Sequence, residues 1–485
     1  MKILNLKPAL TAVMVSAALS ACTMIPKYEQ PTVNVPSNFK YDTAEQYGVQ
    51  VALLGWQDYF ADPRLQRLIE LALVSNTDLR VAALNADAVR AQYGISRASL
   101  LPGINATGSG SRGRVAQDLS GTGIGSSYVS SSYGVGLGVT GYELDLFGRV
   151  RSNTEAVLQS YFASVANRDA TYLSLIASIA KAYFNERTAE ESMALAQKVL
   201  GTREQTYKLS QMRHHAGVIS AIDLRQQEAL IESAKADYAT SVQAREQAKN
   251  AMAVLINQPL PEDLPAGLPL SQQFKVSQLP AGLSSDVLLN RPDVRSAEFA
   301  LKQANANIGA ARAAFFPTIS LTSTIGTASN ELGGLFKGGN GTWSFAPNIS
   351  LPIFNWGSNL ANLDYAQIMK QVQIVNYEAA VQSAFQDVSN ALVAREQLDK
   401  AYAANTKQSQ AYADYLRLVH LRYQHGISSA LDLQDAERSS YGADSARLAT
   451  QLTSLENMAD LYKALGGGLK RYTQDEETDT QAAQP

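Results

Sequence analysis

The stretch HAGVISAIDL, residues 215–224, returns as QHGISSALDL at residues 424–433. Gly217 maps onto Gly426 and Asp223 onto Asp432 with one common offset. An earlier stretch is also written twice: Asp78, Arg80, Ala82, Ala91, Gly94, Arg97, Ala98 and Pro102 recur as Asp293, Arg295, Ala297, Ala306, Gly309, Arg312, Ala313 and Pro317. A chain repeated in this way folds as two copies of one structural unit. The segment between Pro317 and Gly357 is a few residues shorter than its counterpart between Pro102 and Gly148. Such a loss sits best in a loop.

Those intervening segments read as strands. Val129, Tyr133, Val135, Leu137 and Val139 alternate with Ser130, Ser132, Gly134, Gly136, Gly138 and Thr140. Trp343, Phe345, Ile349, Leu351 and Ile353 alternate with Ser344, Ala346, Asn348 and Ser350. Period two over roughly ten residues is the length of a tilted membrane strand. Trp343 and Trp356 bound the second run, where interfacial aromatics belong. Weaker strands are expected over 104–110 and 318–325, and the Gly-rich QDLSGTGIGSS and ELGGLFKGGNGT read as hairpin tips.

The N-terminus carries Lys2 and Lys7, an apolar run from Ala9 to Leu19 and then Leu19-Ser20-Ala21-Cys22, the layout of a secretory leader. Cys22 is the single cysteine, so no disulfide forms within one chain. Beyond it no apolar run approaches the roughly 18 residues of a spanning helix, so a membrane crossing must be made by strands. Four strands cannot close a barrel, and an open edge in lipid leaves backbone groups unpaired. The chain must therefore pool its strands with other copies.

The remainder of each half is helix. Leu158, Phe162, Val165, Tyr172, Ile176, Ile179 and Tyr183 form a seam with spacings of four and three that passes through Asp169, a coiled-coil heptad echoed by Ile374, Val381, Phe385, Val388 and Leu392. No proline lies between Gly148 and Gly217, which permits one helix of about 65 residues, roughly 100 Å long. Gly217 and Gly426 stand where a helix ends, and Ser220 and Ser429 where the next is capped. Each half thus ends in a long helical hairpin.

The motifs DVLLNRPDVRSAE at 286–298, YELDLFGRVRS at 142–152 and WQDYFADPRLQRLIELALVSNTDLRVA at 56–82, with the two tips, resemble those of TolC-like outer-membrane factors, in their lipoprotein branch. The resemblance implies a mixed α and β membrane protein. Its trimer forms a twelve-stranded outer-membrane β-barrel, four strands per chain, continuous with a periplasmic α-helical coiled-coil barrel. It implies the exit duct of a tripartite efflux pump, with a periplasmic membrane-fusion adaptor and an inner-membrane RND transporter as partners. A channel of the same fold for type I protein secretion is the alternative. The LSAC site resembles a lipobox, which implies acylation of Cys22 and anchorage in outer-membrane lipid. Leu431, Asp435 and Arg438 match the family's periplasmic constriction, with Asp432 on the neighbouring face. Asp223 and Tyr423 match an inter-hairpin latch, and the tips at Gly217 and Gly426 match the adaptor-docking ends. Where some members carry a second latch arginine this chain has Ser428.

The expected organisation is a leader over 1–21, a lipid-anchored segment over 22–60, repeat 1 over 61–258, a linker over 259–285, repeat 2 over 286–468 and a polar tail over 469–485. With 41 basic against 44 acidic residues the charge balance gives no reason to expect nucleic acid. His214, His215, His420 and His425 gather near the tips without an HExxH motif or a cysteine pair, so neither a metal nor a cofactor is expected. GVGLGVTG lies inside a strand pattern rather than before a helix, and no enzymatic activity is expected.

Overall fold

The structure is a computed structural model that describes residues 23–36, 39, 54–117, 127–275 and 285–468. Cys22, the leader and the tail lie outside the described residues. The described elements are α1 (Trp56–Tyr59), α2 (Pro63–Ser75), α3 (Thr77–Ala98), β1 (Ile104–Val115), β2 (Tyr128–Glu143), α4 (Arg149–His215), α5 (Ala221–Leu255), α6 (Pro292–Ala313), β3 (Thr318–Ser329), β4 (Gly341–Ser350), α7 (Ser358–Gln424) and α8 (Ala430–Ala464). The long helices α4 and α7 each run 67 residues without a break. The chain divides into two compact units.

The first unit comprises Met1–Pro31, Asn85–Ser164 and Ser296–Tyr377. Its strands form one antiparallel sheet in the order β1-β2-β3-β4. β1 and β3 run further than expected, to Val115 and Ser329, because β2 keeps pairing with both. β4 ends at Ser350 instead of continuing toward Trp356. Pro352 has no N–H to give a ladder, and Trp356 turns the backbone to a φ of 56°.

Register sorts the side chains by face. Ile104, Ala106, Val135, Leu137, Val139, Ile319, Leu321, Ile325, Trp343, Phe345 and Ile349 share one face. The other presents Asn105, Thr107, Ser109, Ser132, Gly136, Thr322, Thr324, Ser344, Ala346 and Asn348, all small and uncharged. Both faces are largely exposed in the single chain.

Beside the sheet the unit's helices join in sequence. Ser96 Oγ meets Thr154 Oγ1 at 3.2 Å between α3 and α4. Phe162 packs on Phe299 with ring centroids 5.4 Å apart between α4 and α6. Asn359 Nδ2 donates to Ala314 O at 2.9 Å between α7 and the end of α6. An extended N-terminal strap lies along α6: Tyr28 Oη donates to Glu298 (3.2 Å), Asn305 Nδ2 to the Pro26 carbonyl (2.7 Å), and Arg312 Nη1 to that of Met24 (3.5 Å). At Gly309 an added Cβ would fall 2.6 Å from Ile25 Cγ1, so the strap's seat depends on the missing side chain.

The second unit comprises Thr32–Leu84, Val165–Arg295 and Glu378–Pro485. Its core holds Tyr59, Phe60, Leu65, Ile69, Ile176, Ile179, Tyr183, Phe184 and Tyr462. Tyr59 stacks on Tyr462 at 4.6 Å. The coiled-coil seam read on α4 is buried from Asp169 onward. Two charged residues from the quoted motifs organise this core. Asp62 is wholly buried and caps α2 by accepting from Arg64 N (2.8 Å). It also accepts from Tyr183 Oη (2.7 Å), Leu268 N (2.8 Å) and Gln273 Nε2 (3.1 Å), which ties the inter-repeat linker to the core. Arg291 is also buried, taking both oxygens of Asp293, Asp387 Oδ2 (2.9 Å) and the Ala464 carbonyl at the end of α8 (3.0 Å). A buried charge needs this many partners, since burial without them is costly.

Candidate functional site at the hairpin tips

Both tips are built from the same two capping devices. At the end of α4, Gly217 has a φ of 70°, its N–H bonds to His214 O (2.9 Å) and that of Val218 to Arg213 O (2.9 Å). At the end of α7, Gly426 has a φ of 73°, its N–H bonds to Tyr423 O (3.1 Å) and that of Ile427 to Arg422 O (2.9 Å). These are paired Schellman closures, which need a left-handed residue at the glycine position. Each turn then opens a helix through a capping box, Ser220 with Asp223 on α5 and Ser429 with Asp432 on α8. The repeat in the sequence is a repeat of hydrogen bonds.

The capping box alters the expected latch. The Asp223 carboxylate accepts from Ser220 N (3.1 Å) and Ser220 Oγ (2.8 Å), while Tyr423 Oη accepts from Arg213 Nη1 at 3.3 Å with the guanidinium 5.4 Å from its ring. Among the described residues Asp223 and Tyr423 share no hydrogen bond. An acidic group at the third position of a helix has a donor pair on its own N-cap, and that local partner wins over one on another helix. Asp432 is held the same way: the Ser429 backbone N–H, then the Ser429 hydroxyl, keep its carboxyl below the usual range.

On α8, Leu433, Ala436, Ser440 and Ala443 are buried, with Val419, Leu416 and Tyr423 packed against the first two. Leu431, Asp432, Asp435 and Arg438 lie on the exposed side, Arg438 reaching Asp435 at 3.2 Å. The four candidate constriction residues therefore occupy one free face. Val218, Ile222 and Ile427 are also exposed at the tips. His214 Nδ1 lies 3.2 Å from the Ile219 carbonyl, and the His214 and His215 rings are 6.4 Å apart.

Sequence reading missed the contacts that join the two hairpins. Arg203 on α4 pairs with Glu437 on α8 at 2.7 Å, with side chains only 10% and 9% exposed. Burial pushes the Glu437 carboxyl up, and Arg203 and then His420 pull it back without overcoming that. Gln226 on α5 donates to Gln434 on α8 at 2.8 Å. Charged and amide residues on long polar helices carry no local sign that they face inward, so only packing reveals these pairs.

Comparison with known proteins fits this architecture. The sequence model described as "Outer membrane efflux protein" matches residues 68–258 and 283–467. The chain is 44% identical over 481 residues to the probable efflux pump outer membrane protein TtgC of Pseudomonas putida, covering 98% of each chain. It is 38% identical over 467 residues to outer membrane protein OprJ of Pseudomonas aeruginosa, covering 95% of this chain and 96% of OprJ. The crystal structure of the open state of the Neisseria gonorrhoeae MtrE outer membrane channel superposes with a TM-score of 0.85 at 64% identity, over 93% of this chain and 99% of that one. With its family matched across both repeats and its fold shared with solved channels, the chain belongs to the outer membrane efflux protein family.

Proposed function

We propose that this outer-membrane channel works as a homotrimer, a passive exit duct with no catalysis of its own. It would conduct small molecules from an inner-membrane RND transporter and the periplasm to the exterior. The observation that carries the reading is the four-stranded sheet, with one apolar face, one small polar face and two unpaired edges, β1 and β4. Closure with other copies removes those edges, and the apolar face then meets lipid while the polar face lines the bore. The helices repeat the logic. On α3, Val81, Leu84, Ala88, Ala91 and Ile95 form an exposed heptad seam, and on α7 so do Ala361, Tyr365, Ile368, Val372 and Val375. These two seams sit on the terminal members of the α3-α4-α6-α7 series, where a neighbouring copy would zip.

In this reading Leu431, Asp432, Asp435 and Arg438 ring the periplasmic opening, and repeated carboxylates there favour cations. The turns at Gly217 and Gly426, with exposed Val218 and Ile427, receive the helical hairpins of a periplasmic adaptor. Asp223 holds the outer tip's turn, and Tyr423 links the inner tip to α4 through Arg213. Cys22 carries acyl chains in the periplasmic leaflet. The strap supports this, since Met24 meets Arg312 at the end of α6 that leads into β3. Relatives named for antibiotic and toluene efflux in Pseudomonas putida favour small-molecule export over protein secretion.

Native mass measurement and planar-bilayer recording on one preparation test the proposal. Three copies with cation-preferring conductance, and weaker preference in Asp435→Ala, are expected. A stable monomer in lipid would refute the closed barrel, and unchanged selectivity in Asp435→Ala would remove the constriction assignment.

A further inference from the structure

The sheet's apolar face ends in charge. Along β1 the residues sharing that face are Ile104, Ala106, Gly108, Gly110, Arg112 and Arg114, opposite Val139, Leu137, Val135, Tyr133, Ser131 and Val129 of β2. The Ala106 and Leu137 pair belongs to a row that continues through Ile325 to Trp343. Beyond Tyr133, toward the β1–β2 loop, the next two rows carry the arginines. Same-face neighbours along a strand are about 7 Å apart, so Arg112 and Arg114 stand one and two rows past the tyrosine. The Val115 and Tyr128 end of this hairpin is the one away from the joins to α3 and α4, so the barrel reading places it toward the exterior.

Nothing on the strands compensates this charge. Both side chains are exposed, and among the described residues no acidic group pairs with either. Arg114 donates from Nε (3.1 Å) and Nη2 (2.8 Å) to Ser127 Oγ, which fixes its guanidinium and leaves other N–H groups unused. Arg112 has no hydrogen-bond partner among the described residues. The opposite face at the same height offers Ser111, Gly113, Ser130 and Ser132, with no charge. A basic pair placed only for solubility would sit on that polar face. On the apolar side a guanidinium is tolerated only near the interface, and it is favourable there if an anion meets it.

We infer that Arg112 and Arg114 form a binding site for the phosphorylated headgroups of outer-leaflet lipid. The inference rests on the barrel reading, which decides that this face meets lipid. The planar fork of each guanidinium matches phosphate oxygens in pairs. Tyr133 one row below provides the amphipathic ring expected at that depth. Closure as a trimer would space such sites around the outer rim and tie the barrel to the leaflet.

The test uses the full protein in neutral detergent, titrated with diphosphorylated lipid A and followed by native mass spectrometry. Heat-modified electrophoresis run in parallel reports whether the barrel forms. The parent should retain lipid A in preference to phosphatidylethanolamine. Arg112→Gln with Arg114→Gln should weaken this about 25-fold, roughly fivefold for each basic side chain near an anionic surface. The exchange Ser111→Arg with Arg112→Ser keeps the net charge but moves one arginine to the other face, and it should lose about fivefold. Inorganic phosphate at equal phosphate concentration should not compete. Equal retention by parent and double variant, equal retention after the exchange, or full competition by inorganic phosphate each overturn the inference. Loss of the heat-modified form in the parent would instead strike the barrel reading beneath it.

Discussion

At the scale of residues, the buried charges do the positioning. Arg291 belongs to the RPDVR motif, and its fork holds Asp293 with two oxygens while also reaching Asp387 and the last turn of α8. Lysine keeps the charge but presents a point donor rather than a fork. Arg291→Lys should therefore lower stability by about 1.5–3 kcal/mol, the worth of a hydrogen bond to a charged group. Thermal unfolding followed by circular dichroism measures it, and an unchanged midpoint would show that the fork geometry is dispensable. Glu437 gives a pH signature. Burial, opposed by Arg203 and His420, raises its carboxyl above the ordinary range, so the folded state holds the proton more tightly than the unfolded chain. The stability linked to Glu437 is fully present below the ordinary glutamate range and is lost as pH rises through the raised folded value. Hydrogen exchange in α8, corrected for intrinsic rates, should report weaker protection across that rise. Glu437→Gln should flatten the profile while still offering Arg203 an acceptor. A slope of opposite sign in the parent would mean that Arg203 outweighs burial.

At the scale of elements, each tip is a Schellman closure followed by a capping box, and both steps need particular residues. Gly426 stands in open space, with nothing within 4 Å of an added Cβ, so backbone conformation alone restricts it. A β-branched residue at its φ of 73° carries a penalty of roughly 1–2 kcal/mol, whereas asparagine is better tolerated. We expect Gly426→Val to insert and conduct but to fail in restoring efflux to a strain lacking the native channel, with Gly426→Asn retaining much of it. Full rescue by Gly426→Val would place docking away from this turn.

At the scale of the whole molecule, the free edges argue for assembly twice over, once in strands and once in helices. Ile368 lies in the middle of the exposed α7 seam. Ile368→Glu should leave the folded protomer intact and weaken the trimer, because a buried unpaired carboxylate at a coiled-coil seam is strongly unfavourable. Cross-linking yield and native mass would read the loss, and a parent-like trimer would direct the helical interface to another face.

Much of this was already written in the order of residues. Period-two alternation marked β2 and most of β4 with their faces, the absence of proline allowed the length of α4, and the repeated Gly, Ser and Asp determined both tips. These features are coded by spacing along one element, and backbone geometry converts spacing directly into direction. Tertiary structure decided what spacing cannot. It set β2 beside β3 across an entire intervening helical hairpin, and it buried Arg203 with Glu437 while leaving Asp435 with Arg438 outside. It also gave Tyr423 to Arg213 because Asp223 was already held by Ser220. Long polar helices carry many groups able to pair. The choice among them follows from which helices pack and which donor is nearest, and those distances exist only in the folded chain.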